Sequence, residues 1–281
     1  MTQTTPTLAH LLHQRYGHDR GAPGLPPGLP LNPVLDKLLD HRSVRHFSDR
    51  PLPEGTVEAL VAAAQSAPSS SNLQTWSVVA VQSQASRDRL AALTGPQRHL
   101  SQAPLVLAWL ADLSRIERLA QAQGREPEGL HYLDTFLMAV IDAALAAQNA
   151  VVAAESLGLG TVYLGALRNQ PEAVAEVLGT PAHVFPIFGL VIGHPDPQRP
   201  AAIKPRLPQP TVLHYERYRA PASHTEEVGD YDAVLRAFQA SQDLPAADWS
   251  RQVVDRLLTP DDLKGRHRLV EALHGAGFQL K

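Results

Sequence analysis

The sequence predicts a layered α+β or α/β protein built around one long apolar helix, and three observations support this prediction. Helix-like and strand-like segments alternate along most of the chain. Residues 133–158, LDTFLMAVIDAALAAQNAVVAAESLG, form the most apolar long segment. The chain has 281 residues, of which 44% are hydrophobic, which is enough for a large buried core in one domain or two.

The first part of the chain predicts three helices. Residues 8–16 form a short amphipathic segment, and a Pro/Gly-rich linker, GAPGLPPGLPLNP, follows at 21–33. Asn32 and Pro33 are a typical helix start, cap then first-turn proline. The third helix is predicted at 54–66, and it ends in a hydroxyl-rich run.

The remainder predicts four strands and further helices. The strands are WSVVAVQS (76–83), APLVLAWLAD (103–112), TVYLGAL (161–167) and HVFPIFGLVIGHP (183–195). The helices are at 86–94, 132–157, 171–179, 232–241, 249–258 and 260–275. Because polar residues such as Asp134, Asp142 and Glu155 interrupt the apolar helix, we expect a soluble helix buried on most sides rather than a membrane span.

Composition excludes several classes of function. A net charge of −3 argues against a nucleic-acid-binding or membrane-surface protein, which normally carries a basic excess. The chain has no cysteine, which excludes disulfides, thiolate nucleophiles and Cys-type metal sites. The N-terminal residues lack the pattern of a secretory signal, so we expect a cytoplasmic protein.

The motif HRSVRHF at 41–47 crowds several hydrogen-bond donors together. A spacing of three would place Arg42 and Arg45 on one side of a helical turn, where both guanidiniums and the Ser43 hydroxyl could bind one anion. Arginine is well shaped to bind a phosphate through two hydrogen bonds. The alternative is a solvated basic helix end.

A second basic motif is Lys204-Pro205-Arg206. Proline restricts the residue before it to extended backbone, so the cations at i and i+2 could point the same way. Together with Arg42 and Arg45 they would supply four cations for one phosphate group. The alternative is an ordinary surface turn.

Two polar or small-residue runs could also bind a ligand. Ser69, Ser70 and Ser71, followed by Asn72 and Gln74, could bind a polyol, a phosphate or a heterocycle edge, or could simply satisfy backbone groups at a helix end. The run ESLGLGTVYLGALRN lacks the GxGxxG spacing of a dinucleotide fingerprint. Its small residues still let a flat ligand approach the backbone, although a helix cap followed by a strand start explains them equally.

Familiar catalytic motifs are missing from the sequence. It contains no GxxxxGK[ST] phosphate loop, no HExxH, no close His/Asp ligand cluster and no GxSxG nucleophile elbow. We therefore predict neither a catalytic side chain nor a metal ligand. Phosphate and polyol binders without an acid, base or nucleophile indicate a cofactor that brings its own reactivity.

Six motifs follow one another in an order that resembles a known family. They are HRSVRHF, SAPSSSNLQ (66–74), TGPQRH (94–99), NAVVAAESLGLGTVYLGALRN (149–169), FPIFGLVIGHP (185–195) and KPRLP (204–208). Their order and spacing over residues 32–214 resemble the nitroreductase superfamily, and within it the oxygen-insensitive NADPH nitroreductase and flavin reductase branch. The resemblance implies an α+β fold with a central, mostly antiparallel sheet flanked by helices around a long buried helix.

The resemblance also implies an assembly and a set of cofactor-binding residues. The protein would be an intertwined homodimer with FMN at the subunit interface. An N-terminal extension (1–31), which we expect to wrap the partner subunit, would precede an FMN-binding core (32–215) and a helical C-terminal cap (216–281). The implied FMN ligands are His41, Arg42, Ser43 and Arg45 for the phosphate and ribityl chain, Ser69, Ser70, Ser71, Leu73 and Gln74 from the partner subunit, Gln97, Tyr163, Leu164, Gly165 and Ala166 along the ring, and Lys204 and Arg206 at the phosphate.

The implied activity is reduction of nitroaromatics, quinones or flavins by NADPH or NADH, through two-electron hydride transfer in a ping-pong mechanism. A flavin-binding sensor or carrier without turnover is the main alternative, and reductive dehalogenation or flavin destruction is another. Ala166 replaces a family glycine, and Asn72 replaces a bulky apolar residue. The loop 239–248, QASQDLPAAD, lacks the arginines that recognise the 2′-phosphate of NADPH in close relatives, and Arg217, Arg219 or Arg236 would have to substitute.

Overall fold

The structure is a computed structural model that describes residues 8–17, 32–95 and 97–281. The chain divides into two compact units. We call the described residues up to 42, together with 201–262, the helical unit, and the described residues of 43–200 and 263–281 the sheet unit. Within the described residues the α-helices are, in chain order, α1 Leu8–Tyr16, α2 Pro33–Asp40, α3 Thr56–Gln65, α4 Gln84–Thr94, α5 Arg98–Gln102, α6 Ser114–Ala122, α7 Leu133–Ser156, α8 Pro171–Leu178, α9 Gln209–Val212, α10 His224–Val228, α11 Tyr231–Ser241, α12 Trp249–Asp255 and α13 Leu269–Gly275.

The sheet unit contains a four-stranded antiparallel sheet. Its strands are β1 Trp76–Val81, β2 Leu105–Asp112, β3 Gly160–Leu164 and β4 Val184–Gly193, in the spatial order β1-β2-β4-β3. Every neighbouring pair is antiparallel, which confirms the α+β class and rules out a parallel α/β sheet. The third strand ends three residues before its predicted end, because Gly165–Asn169 turn into a 3₁₀-helix.

The core lies between the sheet and the helices α3 and α7. Alternating side chains of β2 and β4, Trp109 and Leu190 among them, pack against Leu60 of α3 and the alanines of α7. Every residue of β2 is buried, as the sequence predicts for this strand. Alanines at the contact face let α7 approach the strands closely, since they carry only a methyl group.

Helix α7 is buried along one face only, so the prediction that it is buried on most sides is wrong. Its core face is alanine-rich and carries Asp142, whereas Leu137, Ile141 and Leu145 are 46%, 56% and 41% exposed. These three residues are four apart and form one stripe. Among the described residues α7 alone is long and apolar enough, by length and composition, to span a membrane. Its core face is instead packed against protein.

In the helical unit, Asn32 caps α2 as predicted. Its side-chain oxygen accepts hydrogen bonds from the backbone N–H groups of Val34 and Leu35, each at 3.0 Å.

The predicted single helix at 260–275 is wrong. Two 3₁₀ turns precede α13, and Gly265 between them has a φ of 89°, which the α-helix does not allow.

The N-terminal extension is described only at residues 8–17. There α1 packs against its own chain, with Leu11 1% exposed. Most of the predicted Pro/Gly linker lies at 18–31, outside the described residues, as do residues 1–7. That the extension wraps a partner subunit stays a prediction.

Candidate functional site

The HRSVRHF motif has extended backbone instead of the predicted helical turn. Helix α2 ends at Asp40, and His41 already has φ −53° and ψ 133°. Within the sheet unit, Ser43 bridges Thr161 of β3, and Phe47 bridges Pro195. The spacing of the two arginines predicted a helical turn, because residues three apart share one side of a helix. Pairing with β3 instead determines the backbone conformation of this segment.

This pairing places part of the motif beside β3. The backbone N–H of Val44 donates to the carbonyl of Thr161 at 2.8 Å. A Cβ on Gly160 would meet the Val44 side chain at 2.8 Å, so only glycine allows so close an approach. Ser43 therefore lies two residues along the strand from Tyr163, another predicted cofactor contact. Arg45 is exposed. The pKa of His99 is lowered mainly by burial and next by the positive charge of Arg45.

In the helical unit, Arg42 is held by Asp40, two residues before it. Its Nε donates to the Asp40 carbonyl at 3.0 Å, and its guanidinium forms an ion pair with the Asp40 carboxylate. Both side chains are about one-third exposed, so solvent screens this pair. An incoming phosphate would compete with Asp40 for the guanidinium.

The Lys204-Pro205-Arg206 segment forms no turn and has the predicted alternation. Lys204 and Arg206 are exposed and Pro205 between them is buried. The Tyr231 hydroxyl donates to the Pro205 carbonyl at 2.8 Å, which anchors the middle of the segment. Burial raises the pKa of Tyr231, and the nearby charge of Arg206 opposes this rise.

Arg15, at the end of α1, joins these two basic segments, and sequence reasoning missed it. Its guanidinium donates to the carbonyls of Leu39, His41 and Lys204 at 2.9, 2.7 and 3.2 Å. Nothing in the sequence distinguishes Arg15 from a solvated basic residue at a helix end. Only its burial, at 8% exposed, reveals the contact.

The serine-rich run is held by a buried carboxylate on α7. Asp142, 2% exposed, accepts hydrogen bonds from the Ser69 hydroxyl at 2.7 Å, the Ser70 backbone N–H at 3.0 Å and the Thr75 hydroxyl at 3.3 Å. Ser69 also accepts from the backbone N–H of Gln74. Part of the run therefore satisfies backbone groups, which was the alternative reading of this motif.

The same run contains unusual backbone. Ser71, Asn72 and Gln74 all have φ near +50°, a region that non-glycine residues occupy at a cost of roughly 1 kcal/mol or more each. Leu73 between them is 38% exposed. Strained backbone with an exposed apolar side chain is common where a chain is shaped for a ligand.

The end of β3 presents a mixed apolar and polar surface. Tyr163 is 40% exposed and packs edge-on against Phe188, with ring centroids 5.4 Å apart. Burial of its hydroxyl, and secondarily the charge of Glu155, raise the pKa of Tyr163. The residues after it are more enclosed, since Leu164 is 2% and Ala166 is 6% exposed.

Two further predictions concern the neighbouring loops. Gln97 directly precedes α5 and is half-buried, whereas Pro96 in the same motif lies outside the described residues. Two of the arginines that were expected to substitute for the missing arginines of the 239–248 loop form ion pairs: Arg236 pairs with Asp248, and Arg219 pairs with Glu226.

No group of three or more His, Cys, Asp or Glu side chains that could hold a metal ion occurs at 8–17, 32–95 or 97–281.

Comparison with known proteins identifies relatives over most of the chain. Residues 38–194 match the model of the Nitroreductase family, and residues 204–281 match that of the Nitroreductase family, C-terminal domain. An oxygen-insensitive NADPH nitroreductase of Salmonella typhimurium is 36% identical, and an FMN reductase (NAD(P)H) of Bacillus subtilis is 35% identical. Each alignment covers 89% of this chain and 100% of the relative.

Solved structures agree with these matches. A hypothetical oxidoreductase from Bacillus subtilis superposes with a TM-score of 0.84 at 34% identity. An NADPH:FMN oxidoreductase from Vibrio harveyi, complexed with NAD⁺, superposes with a TM-score of 0.78 at 30% identity. Both cover 89% of this chain and 100% of the solved chain. Helix α1 lies ahead of both family matches.

Proposed function

Because the chain belongs to the nitroreductase family, we propose that it is an FMN-dependent oxidoreductase that uses NAD(P)H to reduce nitroaromatics, quinones or flavins. One observation carries this proposal beyond the family match. The two basic segments that a phosphate monoester would need, 39–42 and 204–206, are hydrogen-bonded to a single buried residue in the helical unit.

The donor set fits FMN. A phosphate monoester is bound most strongly by charge-assisted hydrogen bonds, which Arg42, Lys204 and Arg206 can donate. In the helical unit His41, Arg42, Lys204 and Arg206 would hold the phosphate. In the sheet unit Ser43 and Arg45 would hold the phosphate and the ribityl chain, and Gln97, Tyr163, Leu164, Gly165 and Ala166 would lie along the ring. The partner subunit would contribute its residues Ser69, Ser70, Ser71, Leu73 and Gln74.

When bound, FMN would supply the two-electron redox chemistry, so the protein needs no nucleophile or metal of its own. The task of the side chains is to bind, orient and exclude water. We expect the nicotinamide and the acceptor to occupy the same place in turn, which gives ping-pong kinetics. The proposed organisation is an extension at 1–31, an FMN-binding core at 32–215 and a helical cap at 216–281.

The proposed assembly is a homodimer. The exposed stripe of Leu137, Ile141 and Leu145 on α7 is the kind of apolar surface that a second subunit covers, because leaving it in water costs about 25 cal/mol per Å². A dimer is therefore our expectation, and we also propose that the protein is soluble and cytoplasmic, as the sequence analysis predicts.

The test of the function is the colour and turnover of purified protein. We expect a yellow preparation that is bleached anaerobically by NADPH or NADH and restored by a nitroaromatic compound. Colour that persists with both nicotinamides would instead favour a flavin carrier without turnover.

A double variant tests the phosphate-binding residues. Arg42→Ala with Lys204→Ala should abolish FMN retention, since each change removes a charge-assisted hydrogen bond worth roughly 1.5–3 kcal/mol. Arg251→Ala is the matched control, because Arg251 is 83% exposed on α12 and pairs along its own helix with Asp255. A double variant that stays as yellow as this control would contradict the assignment.

A further inference from the structure

Arg15 is in an unusual place for an arginine. It ends α1, it is 8% exposed, and α1 lies ahead of the part of the chain that matches the family, which begins at residue 38. A buried guanidinium loses its hydration, so it is retained only where its donors are satisfied. The three acceptors of Arg15 are all backbone carbonyls, which do not neutralise its charge.

Those carbonyls belong to two segments that are far apart in sequence. Leu39 is near the end of α2 and His41 follows it and leads into Arg42, while Lys204 begins the 204–206 segment. The 204–206 segment is also bound to Arg15 through the backbone, since the N–H of Arg206 donates to the Arg15 carbonyl at 2.8 Å. One residue therefore holds both segments, through its side chain and through its backbone.

Charges of both signs act on Arg15. Burial is the main cause that lowers the pKa of Arg15, followed by the charge of Arg206, and that of Arg42 also lowers it. Tyr16 and Asp40 oppose this effect. Asp40 pairs with Arg42, but the charges of Arg206 and Arg42 still disfavour the charged form of Arg15, and an anion bound by these cations would relieve that repulsion.

We propose that Arg15 is a positioning residue for the phosphate-binding cations, fixing the 39–42 and 204–206 segments so that they bind the terminal phosphate of the flavin. The inference rests on the proposed function and deepens it. Arg15 itself does not touch the cofactor. This positioning makes the protein selective for a phosphorylated flavin. Through Arg15, α1 raises the affinity of the protein for FMN and leaves its affinity for the flavin ring and ribityl chain unchanged.

The experiment compares FMN with riboflavin, which lacks the phosphate, by fluorescence titration of the apoprotein. For Arg15→Ala we expect the Kd for FMN to rise about ten- to a hundredfold, while the Kd for riboflavin changes less than about twofold. Arg15→Lys should lie between this variant and the wild type, because an ammonium keeps the charge but cannot match the fork of donors. Arg251→Ala should bind both flavins as the wild type does.

The outcomes separate this inference from the function on which it rests. Wild-type protein that binds neither flavin would refute the proposed function itself. Wild type that binds FMN, with Arg15→Ala weakened equally for FMN and riboflavin, would overturn the positioning role, since general destabilisation affects both. Unchanged binding of FMN would overturn it as well. If Arg15→Ala does not fold, the same comparison is made with Arg15→Lys, whose preference for FMN must fall below that of the wild type.

Discussion

The buried carboxylate of Asp142 allows the sharpest prediction about stability and cofactor binding together. It accepts three hydrogen bonds from the 69–75 segment and is 2% exposed. Asp142→Ala would leave three donors without an acceptor, each at a cost of about 1–3 kcal/mol, partly offset by water that enters the space. We therefore expect a loss of about 3 kcal/mol in the free energy of unfolding of the sheet unit.

Asp142→Asn is the more informative change, because its shape is conserved. Its amide oxygen can still accept from the Ser70 backbone N–H, and the Ser69 and Thr75 hydroxyls can rotate to accept from the amide nitrogen. Only the charge is lost, so we expect the free energy of unfolding to fall by about 1–2 kcal/mol. Asp134→Asn is the matched control, since Asp134 is exposed on the same helix.

The assay is urea denaturation of the apoprotein, followed by FMN titration of each variant. Stability should fall in the order wild type, Asp142→Asn, Asp142→Ala. FMN affinity should fall in the same order, because the positive-φ backbone at Ser71, Asn72 and Gln74 relaxes when its anchor is lost. An Asp142→Ala protein as stable as Asp134→Asn would refute the hydrogen-bond reasoning. Full FMN affinity in a destabilised Asp142→Ala protein would refute the link to the cofactor.

Three further predictions concern the nicotinamide, the assembly and the pH dependence. Because the loop 239–248 contains two acids and no arginine, kcat/KM for NADPH and NADH should differ by less than about tenfold, and a strong NADPH preference would contradict this. Ile141→Glu should convert a dimer into a monomer in light scattering, since it places a charge in the exposed stripe of α7, and an unchanged mass would exclude this face. Burial alone would raise the pKa of Asp112, but hydrogen bonds from Ser114 and Ser77, together with the charge of Arg115, hold this pKa below its usual value. The stability that the ionised Asp112 contributes is present above its unfolded-state pKa and is lost as the pH falls through its depressed folded-state pKa. The melting temperatures of wild type and Asp112→Asn should therefore converge below about pH 4.

Much of the fold could be predicted because its signals are local. The four strands are short apolar runs bounded by turn residues, and Asn32 with Pro33 predicted the start of α2 from two adjacent residues. The prediction failed where distant partners override local preference. The RxxR spacing indicated a helical turn, but pairing of Ser43 with Thr161 extends the backbone.

By itself the sequence determined the order of the four strands and the family, and it predicts which cations bind a phosphate, because chain order and residue chemistry carry that information directly. Only the tertiary structure decided which neighbours hold those cations. Arg15 is linked to Lys204 across 189 residues of sequence, and Asp142 is linked to Ser69 across 73. Such contacts depend on how the chain folds back on itself and on which polar groups are left to be satisfied when water is excluded, and no short-range pattern records either one.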